Sequence, residues 1–364
     1  MRGGIVVRLS KRIMFVSILV ALVIVLVSCG GSTSLDTSTG QISEVINNVD
    51  DEQVTNEQVA VSINMRIAAL LGPTGMGMVG LMEESEQDKT ANDYEFSLVG
   101  SPDDLVSKIV SNEIDVAAVP ANLAAVLYQR TQGAIQLAAV NTLGVLFVLE
   151  KADELGKGDD IKSIGDLRGK TVNISGKGAT PDFAFRYILQ ENGLVPDKDV
   201  ILDYTLQHAD LATAMAAGEF DYALLPQPHV TSALLRNQDL RIALDLTEEW
   251  SLVTESSDLI MGVIIVQREF AENNKDAFNQ FLQEYRASVD FVNKDQSAAG
   301  QLMEKFGILP NEQVAASAIP YSNIVYIDAV QARESLEENY RILYEFEPKS
   351  VGGKLPDEDF WYSR

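Results

Sequence analysis

One cysteine and two histidines stand in a chain of 364 residues. A single thiol excludes an intramolecular disulfide and any thiolate metal cluster. Two imidazoles are too few for a His-rich zinc site. Basic residues are scarce as well: 28 Lys+Arg against 53 Asp+Glu give a formal charge of −25. A nucleic-acid binder needs a basic stripe to neutralise phosphates, so that class is excluded. The sequence has no Gly-x-Ser-x-Gly elbow, no His-Glu-x-x-His helix and no Gly-x-x-x-x-Gly-Lys-Ser/Thr loop. The acid pairs Glu83-Glu84 and Glu248-Glu249 are adjacent in sequence. They therefore point to different sides of a helix and read as solvated surface. What remains is apolar enough to fold, at 46% hydrophobic, and long enough for about two domains.

The lone cysteine has a telling position. Arg2, Arg8, Lys11 and Arg12 precede the apolar run Ile13 to Val27, and Ser28 and Cys29 follow it. As a helix that run rises only about 22 Å, short of a hydrocarbon core about 30 Å thick. Charge, run length and a small residue together describe a secretory signal peptide. Residues Leu26-Val27-Ser28-Cys29 resemble the bacterial lipobox, which implies lipidation of Cys29 and cleavage before it. The segment 1–28 carries four basic and no acidic residues, so its loss takes the formal charge from −25 to −29. Such acidity reads as a solvated surface that favours solubility. Gly30-Gly31-Ser32-Thr33-Ser34 opens a polar stretch to about residue 60, read as a flexible tether over 29–60.

From Val61 onward apolar runs alternate with helical patterns, which points to a parallel-rich α/β sheet. Strands are expected at 63–71, 94–100, 114–119, 135–141 and 145–150. A second set is expected at 170–174, 200–205, 221–225 and 240–246. Ser101 and Pro102 read as the cap and first residue of a helix. Pro120-Ala121-Asn122 and Pro226-Gln227-Pro228 read as turns, with helices from Leu123 and Val230. Asp104-Leu105…Glu113-Ile114-Asp115-Val116-Ala117…Pro120 matches Asp210-Leu211…Glu219-Phe220-Asp221-Tyr222-Ala223…Pro226 at a constant offset of 106 residues. The Gly-rich turns 72–77 and 175–180 occupy corresponding places. Two similar α/β lobes follow. Leu259 to Gln267 reads as one more strand. Phe278, Phe281, Leu282, Tyr285 and Val289 form one stripe of a long helix, a core face. That helix and those after it are expected to pack on the first lobe. The chain then crosses between lobes twice, near 145–151 and near 250–260.

Two lobes, two crossovers, a lipobox and a Ser/Thr tether resemble a type II periplasmic substrate-binding protein of an ABC importer. Ile164-Gly165-Asp166-Leu167-Arg168-Gly169-Lys170-Thr171-Val172 is similar to the stretch that opens the second lobe in that family. Glu219-Phe220-Asp221-Tyr222-Ala223 and Glu113-Ile114-Asp115-Val116-Ala117 resemble its "G-x-x-D-A" stretch. The nearest branch is that of the nitrate, sulfonate, taurine and thiamine-precursor binders; the Cys-rich motif of the pyrimidine-synthase relatives is absent. The resemblance implies lobe one at 61–147 and 256–364 and lobe two at 148–255. It also implies an exported, lipid-anchored monomer that delivers a small organic or anionic solute to a permease and its ATPase, without cofactor or metal. Two other readings stay open. One is an exported lipoprotein that uses the fold for sensing or adhesion. The other is an enzyme like the chorismate dehydratases of the futalosine route to menaquinone, which share the fold but are cytoplasmic.

Ligands of open α/β sheets bind beyond the carboxyl ends of strands, where helix N-termini present free N–H groups. Thr74, Gly75 and Met76 are expected there in lobe one, with Asn122 after Pro120 and Asn141 and Thr142 at a strand end. Ser175, Lys177, Thr180, Gln227 and His229 are expected in lobe two. Thr74 and Ser175 would offer hydroxyls, Met76 an apolar contact and Lys177 a charge. His208 reads instead as a residue at a helix start, near the N-cap.

Overall fold

The computed structural model describes residues 62–152, 161–254 and 257–364. The signal peptide, Cys29 and the tether over 29–60 lie outside the described residues, as does the lobe boundary at 255/256. Lobe one begins with β1 (Asn64–Leu70), α1 (Pro73–Met76), α2 (Val79–Glu86), β2 (Asp93–Val99), α3 (Pro102–Val110), β3 (Val116–Pro120), α4 (Ala121–Arg130) and β4 (Ile135–Leu143). The chain then forms β5 (Leu146–Lys151), β6 (Thr171–Ile174), α5 (Thr180–Glu191), β7 (Ile201–Asp203), α6 (His208–Ala216), β8 (Tyr222–Pro226), α7 (His229–Arg236), β9 (Leu240–Asp245) and α8 (Leu246–Val253). It closes with β10 (Ile260–Gln267), α9 (Arg268–Asn273), α10 (Lys275–Lys294), α11 (Gln296–Lys305), α12 (Glu312–Ala318), β11 (Ile324–Asp328) and α13 (Ala329–Phe346).

These strands make two sheets, ordered β11-β4-β10-β3-β1-β2 and β7-β6-β8-β5-β9. In the first, β1 pairs in parallel with β2 and β3, while β10 runs antiparallel to β3 and β4. In the second, β6 pairs in parallel with β7 and β8, while β5 runs antiparallel to β8 and β9. Each sheet thus takes its antiparallel strand from the chain just after a crossover. This is the two-lobe type II architecture.

Strand pattern and core agree. Met65, Ile67 and Ala69 of β1 join one cluster while Ala68 and Leu70 join another, the period of two that buries both faces of a central strand. In β5, Leu146 and Val148 alternate in the same way with Phe147 and Leu149. Phe278, Phe281, Leu282, Tyr285 and Val289 of α10 are all buried in the core of lobe one. The helices after β10 pack there as expected, and Ile342 of α13 also reaches the second lobe's core.

Ser101 caps α3, accepting a hydrogen bond from the Asp104 N–H, with Pro102 first in the helix. Several expectations are corrected. Asn122 lies in the first turn of α4, because the helix starts directly after Pro120. The strand expected to reach Leu246 stops at Asp245, whose side chain caps α8 by accepting the Thr247 N–H at 2.8 Å. β11 was not expected. The first passage between sheets falls at Gly144–Val145, since Leu146 already pairs with Pro226.

Candidate functional site

Most of the predicted residues follow β1, β3, β6 and β8 directly, while Asn141 and Thr142 lie near the end of β4. Gly72, at a φ of 99°, starts α1 and turns the chain back over the end of β1. A Cβ at Gly75 would come within 2.7 Å of the Leu70 carbonyl oxygen, so the turn needs glycine there. Met76 is fully buried in the core of lobe one rather than presented to a ligand. The tight turn directs that side chain into the hydrophobic interior.

Asn141 and Thr142 are fully buried. The Asn141 amide donates to the Thr74 carbonyl at 2.9 Å, and the Thr142 hydroxyl donates to the Asn141 Oδ1 at 3.1 Å. This cluster depends on Gly262. A Cβ there would lie 2.5 Å from Asn141 Oδ1, 2.8 Å from Thr74 Cγ2 and 2.9 Å from Thr142 Oγ1. Sequence reasoning missed Gly262, although an isolated glycine within a strand pattern signals a bulge or a close approach. β10 shifts register at this residue.

In lobe two, Ser175 directly follows β6, nearly inaccessible to solvent, and its hydroxyl is hydrogen-bonded to His208 Nδ1. His208 is the first residue of α6; Gln207 is the cap. Its ring stacks on His229, with centroids 5.8 Å apart and planes 21° apart. Burial, and then the neighbouring His229, push His208 down to about 4; burial alone lowers His229. Both rings are therefore neutral at pH 7. The helix start expected at His208 is observed; its contacts with Ser175 and His229 were not expected.

Gln227 is buried just beyond β8. Its N–H donates to the Val145 carbonyl at 2.9 Å. Its side-chain oxygen accepts the Thr231 hydroxyl at 2.8 Å and the Thr231 N–H at 3.3 Å. Its amide nitrogen is buried without a partner among the described residues. Lys177 is exposed and sits 5.2 Å over the Tyr204 ring, whose hydroxyl donates to Asp182.

A side-chain hydrogen bond joins α4 of lobe one to α5 of lobe two. The Thr180 hydroxyl, at the start of α5, donates to Asn122 Oδ1 of α4 at 3.2 Å. The Asn122 amide in turn donates to the Ser350 carbonyl at 3.3 Å. Phe183 and Tyr187 of α5 contact Phe346 beyond the same junction, and Phe147 meets Tyr321 edge-on. The structure thus groups Asn122 with Thr180, Thr74 with Asn141 and Thr142, and Ser175 with His208 and His229. A separate groove of about 730 Å³ opens at the opposite end of the first sheet, lined by Asp115, Arg130, Gln267 and Arg268 among others. It contains none of the predicted residues. No group of three His, Cys, Asp or Glu side chains suited to a metal occurs among the described residues.

Comparison with known proteins places this geometry. The ABC transporter structure from Parabacteroides distasonis is 24% identical, with a TM-score of 0.69 over 82% of this chain and 99% of that one. The periplasmic aliphatic sulphonate binding protein SsuA of Escherichia coli is 17% identical, with a TM-score of 0.66 over 82% of this chain and 92% of that one. At these identities the likeness is one of fold. YtlA of Bacillus subtilis (strain 168) is 21% identical over 277 residues, 64% of this chain and 78% of that one. The model of the menaquinone biosynthesis family matches residues 77–345. That match spans most of the chain, which therefore belongs to the menaquinone biosynthesis family and carries the type II periplasmic-binding-protein fold.

Proposed function

We propose that this protein is the solute-binding receptor of an ABC importer. It is exported, lipid-anchored through Cys29 and monomeric. It captures a small organic or anionic solute between the two lobes and delivers it to a permease and its ATPase. The observation that carries this reading is the Thr180–Asn122 hydrogen bond. It links the first turn of α4, which follows β3, to the first turn of α5, which follows β6. A small molecule entering there contacts both lobes at once and so favours their closed arrangement. Thr74, Asn122, Asn141, Thr142, Ser175, Lys177, Thr180, Gln227 and His229 supply the polar groups of that site, with Gly75 shaping the turn. The structural neighbours, an ABC transporter chain and a periplasmic sulphonate-binding protein, support the same reading.

The family's biosynthetic description favours a second reading, an enzyme like the chorismate dehydratases. The chemistry of the cleft weighs against it. A general base works best with a pKa near the operating pH. His208 is lowered to about 4, and its titratable neighbour is another histidine rather than an orienting carboxylate. Calorimetry and thermal shift on the purified protein against sulfonates, carboxylates and chorismate separate the two. A receptor gains melting temperature by mass action with a bound solute, which it leaves chemically unchanged. Consumption of chorismate would overturn the receptor reading. A well-folded protein that neither binds nor compacts in small-angle scattering would do so too.

A further inference from the structure

The Gln227 side chain has a fixed orientation. A backbone N–H can only donate, so the Gln227 atom facing Thr231 N must be the oxygen; a flipped amide would set donor against donor. The Thr231 hydroxyl, which can donate or accept, donates to the same oxygen. Thr231 is itself buried. The NH2 end is therefore turned away from the first turn of α7. Two N–H donors lie there, buried and unpartnered among the described residues, at the mouth of β8. An unmade buried donor costs about 1–3 kcal/mol, so a natural partner is an acceptor that arrives with the ligand.

We propose that Gln227 reads the ligand and that Thr231 positions it to do so. The solute presents a lone-pair acceptor, a carboxylate, sulfonyl or carbonyl oxygen, to the Gln227 NH2, and solutes that present N–H groups at that point are rejected. The inference rests on the receptor reading above and narrows the class of solute. It gives lobe two the discriminating role, through a donor that is neutral at every pH. Lys177 lies exposed over Tyr204, and both nearby histidines are uncharged at neutral pH, so a neutral amide supplies the directional contact.

The test is isothermal titration with ethanesulfonate, benzoate and benzamide against ethylamine and benzamidine. It uses the wild-type protein, Gln227→Glu, Thr231→Val and Thr231→Ser. Gln227→Glu keeps an oxygen for Thr231 but replaces the outward donors with an acceptor; acceptor solutes should bind on the order of 100-fold more weakly. Thr231→Val removes the hydroxyl but keeps the backbone N–H, so it loosens the amide's orientation without releasing it. Acceptor solutes should lose about 5-fold and the preference over amines should shrink, while Thr231→Ser restores both. A merely structural threonine would change the melting temperature without changing that preference. If Gln227→Glu fails to fold, the Thr231 pair decides alone. A wild type that prefers amines, or variants that keep wild-type affinity and preference, overturn this inference and leave the receptor reading standing. A wild type silent with every solute overturns the receptor reading and this inference with it.

Discussion

The two lobes repeat one unit and use it differently. α3 and α6 cover 102–110 and 208–216, and β3 and β8 cover 116–120 and 222–226, each at the 106-residue offset. After the matched prolines they diverge. In lobe one α4 starts at once, whereas in lobe two Gln227 and Pro228 intervene before α7. The polar groups diverge as well. Asn141, Thr142 and Thr74 hydrogen-bond to one another, so lobe one's cluster is largely satisfied from within. Lobe two holds a stacked histidine pair and an amide with unused donors. One lobe closes its own polar ledge and the other leaves donors open. The same fold unit thus satisfies its polar groups internally in one copy and leaves donors unpartnered in the other.

The sharpest way to break this comparison is to give one lobe the other's residue. Gly262 pairs with Pro120, and Leu146 pairs with Pro226, so the two hold equivalent places in their sheets. Leu146 is fully buried where lobe two has room for it. In lobe one a Cβ alone would lie 2.5 Å from Asn141 Oδ1. Gly262→Leu should therefore cost about 3 kcal/mol or more through overpacking and disruption of the Asn141 cluster, read by chemical denaturation. The reciprocal Leu146→Ala should cost about 2–4 kcal/mol by leaving a cavity. A near-neutral Gly262→Leu would mean that the ledge of lobe one is as tolerant as that of lobe two.

The repeat was legible because it rests on local chemistry that both copies carry: a glutamate-started turn, a strand with aspartate before it, and a proline that ends it. The α10 stripe was legible because its period matches the helix. Other features depend on contacts between distant segments. Thr180 and Asn122 are 58 residues apart, and nothing local in either announces the bond. Met76 sits in a glycine-rich turn that suggests a ligand mouth, yet the turn folds over the core and takes the methionine with it. β11 pairs with β4 through only a few residues, too short for a periodic signal. α8 was hidden because Asp245, its cap, sits in an apolar run that continues into Leu246. Gly262 and His208 carried signals, a glycine inside a strand and a scarce residue at a helix start, that gained meaning only with their neighbours in place.

The histidine pair sharpens the comparison through pH, because lobe one contains no histidine. His208 has an ordinary value of 6.5 and is lowered to about 4 in the fold, chiefly by burial and then by His229. The unfolded chain thus binds a proton at a pH where the folded one does not. Stability is fully present above about 6.5 and falls as pH drops toward about 4. The loss should be on the order of 2–3 kcal/mol from this residue, read as unfolding midpoints from pH 7.5 to 4.5. His208→Asn should flatten that slope. An unchanged slope would place the acid sensitivity in His229 or in the carboxylates that the two lobes share.

A smaller change is expected from Asn141→Ala, about 2 kcal/mol, since it strips the Thr74 carbonyl and the Thr142 hydroxyl of a buried partner. Thr180→Val should be smaller still and more informative about closure. The hydroxyl makes the one hydrogen bond described between α5 and α4, at 3.2 Å, while Phe183 and Tyr187 hold the same helix to Phe346 by apolar contact. Losing the hydroxyl leaves those ring contacts intact, so global stability should fall by only about 1 kcal/mol. The two states of a hinge differ by a few kcal/mol, and a change of that size moves their populations several-fold. Small-angle scattering of ligand-free Thr180→Val should therefore show a larger radius of gyration than wild type, with the melting temperature little changed. An equal radius would mean that the apolar junction of α5 with α13, and not the polar bond at the cleft, sets how closely the lobes approach.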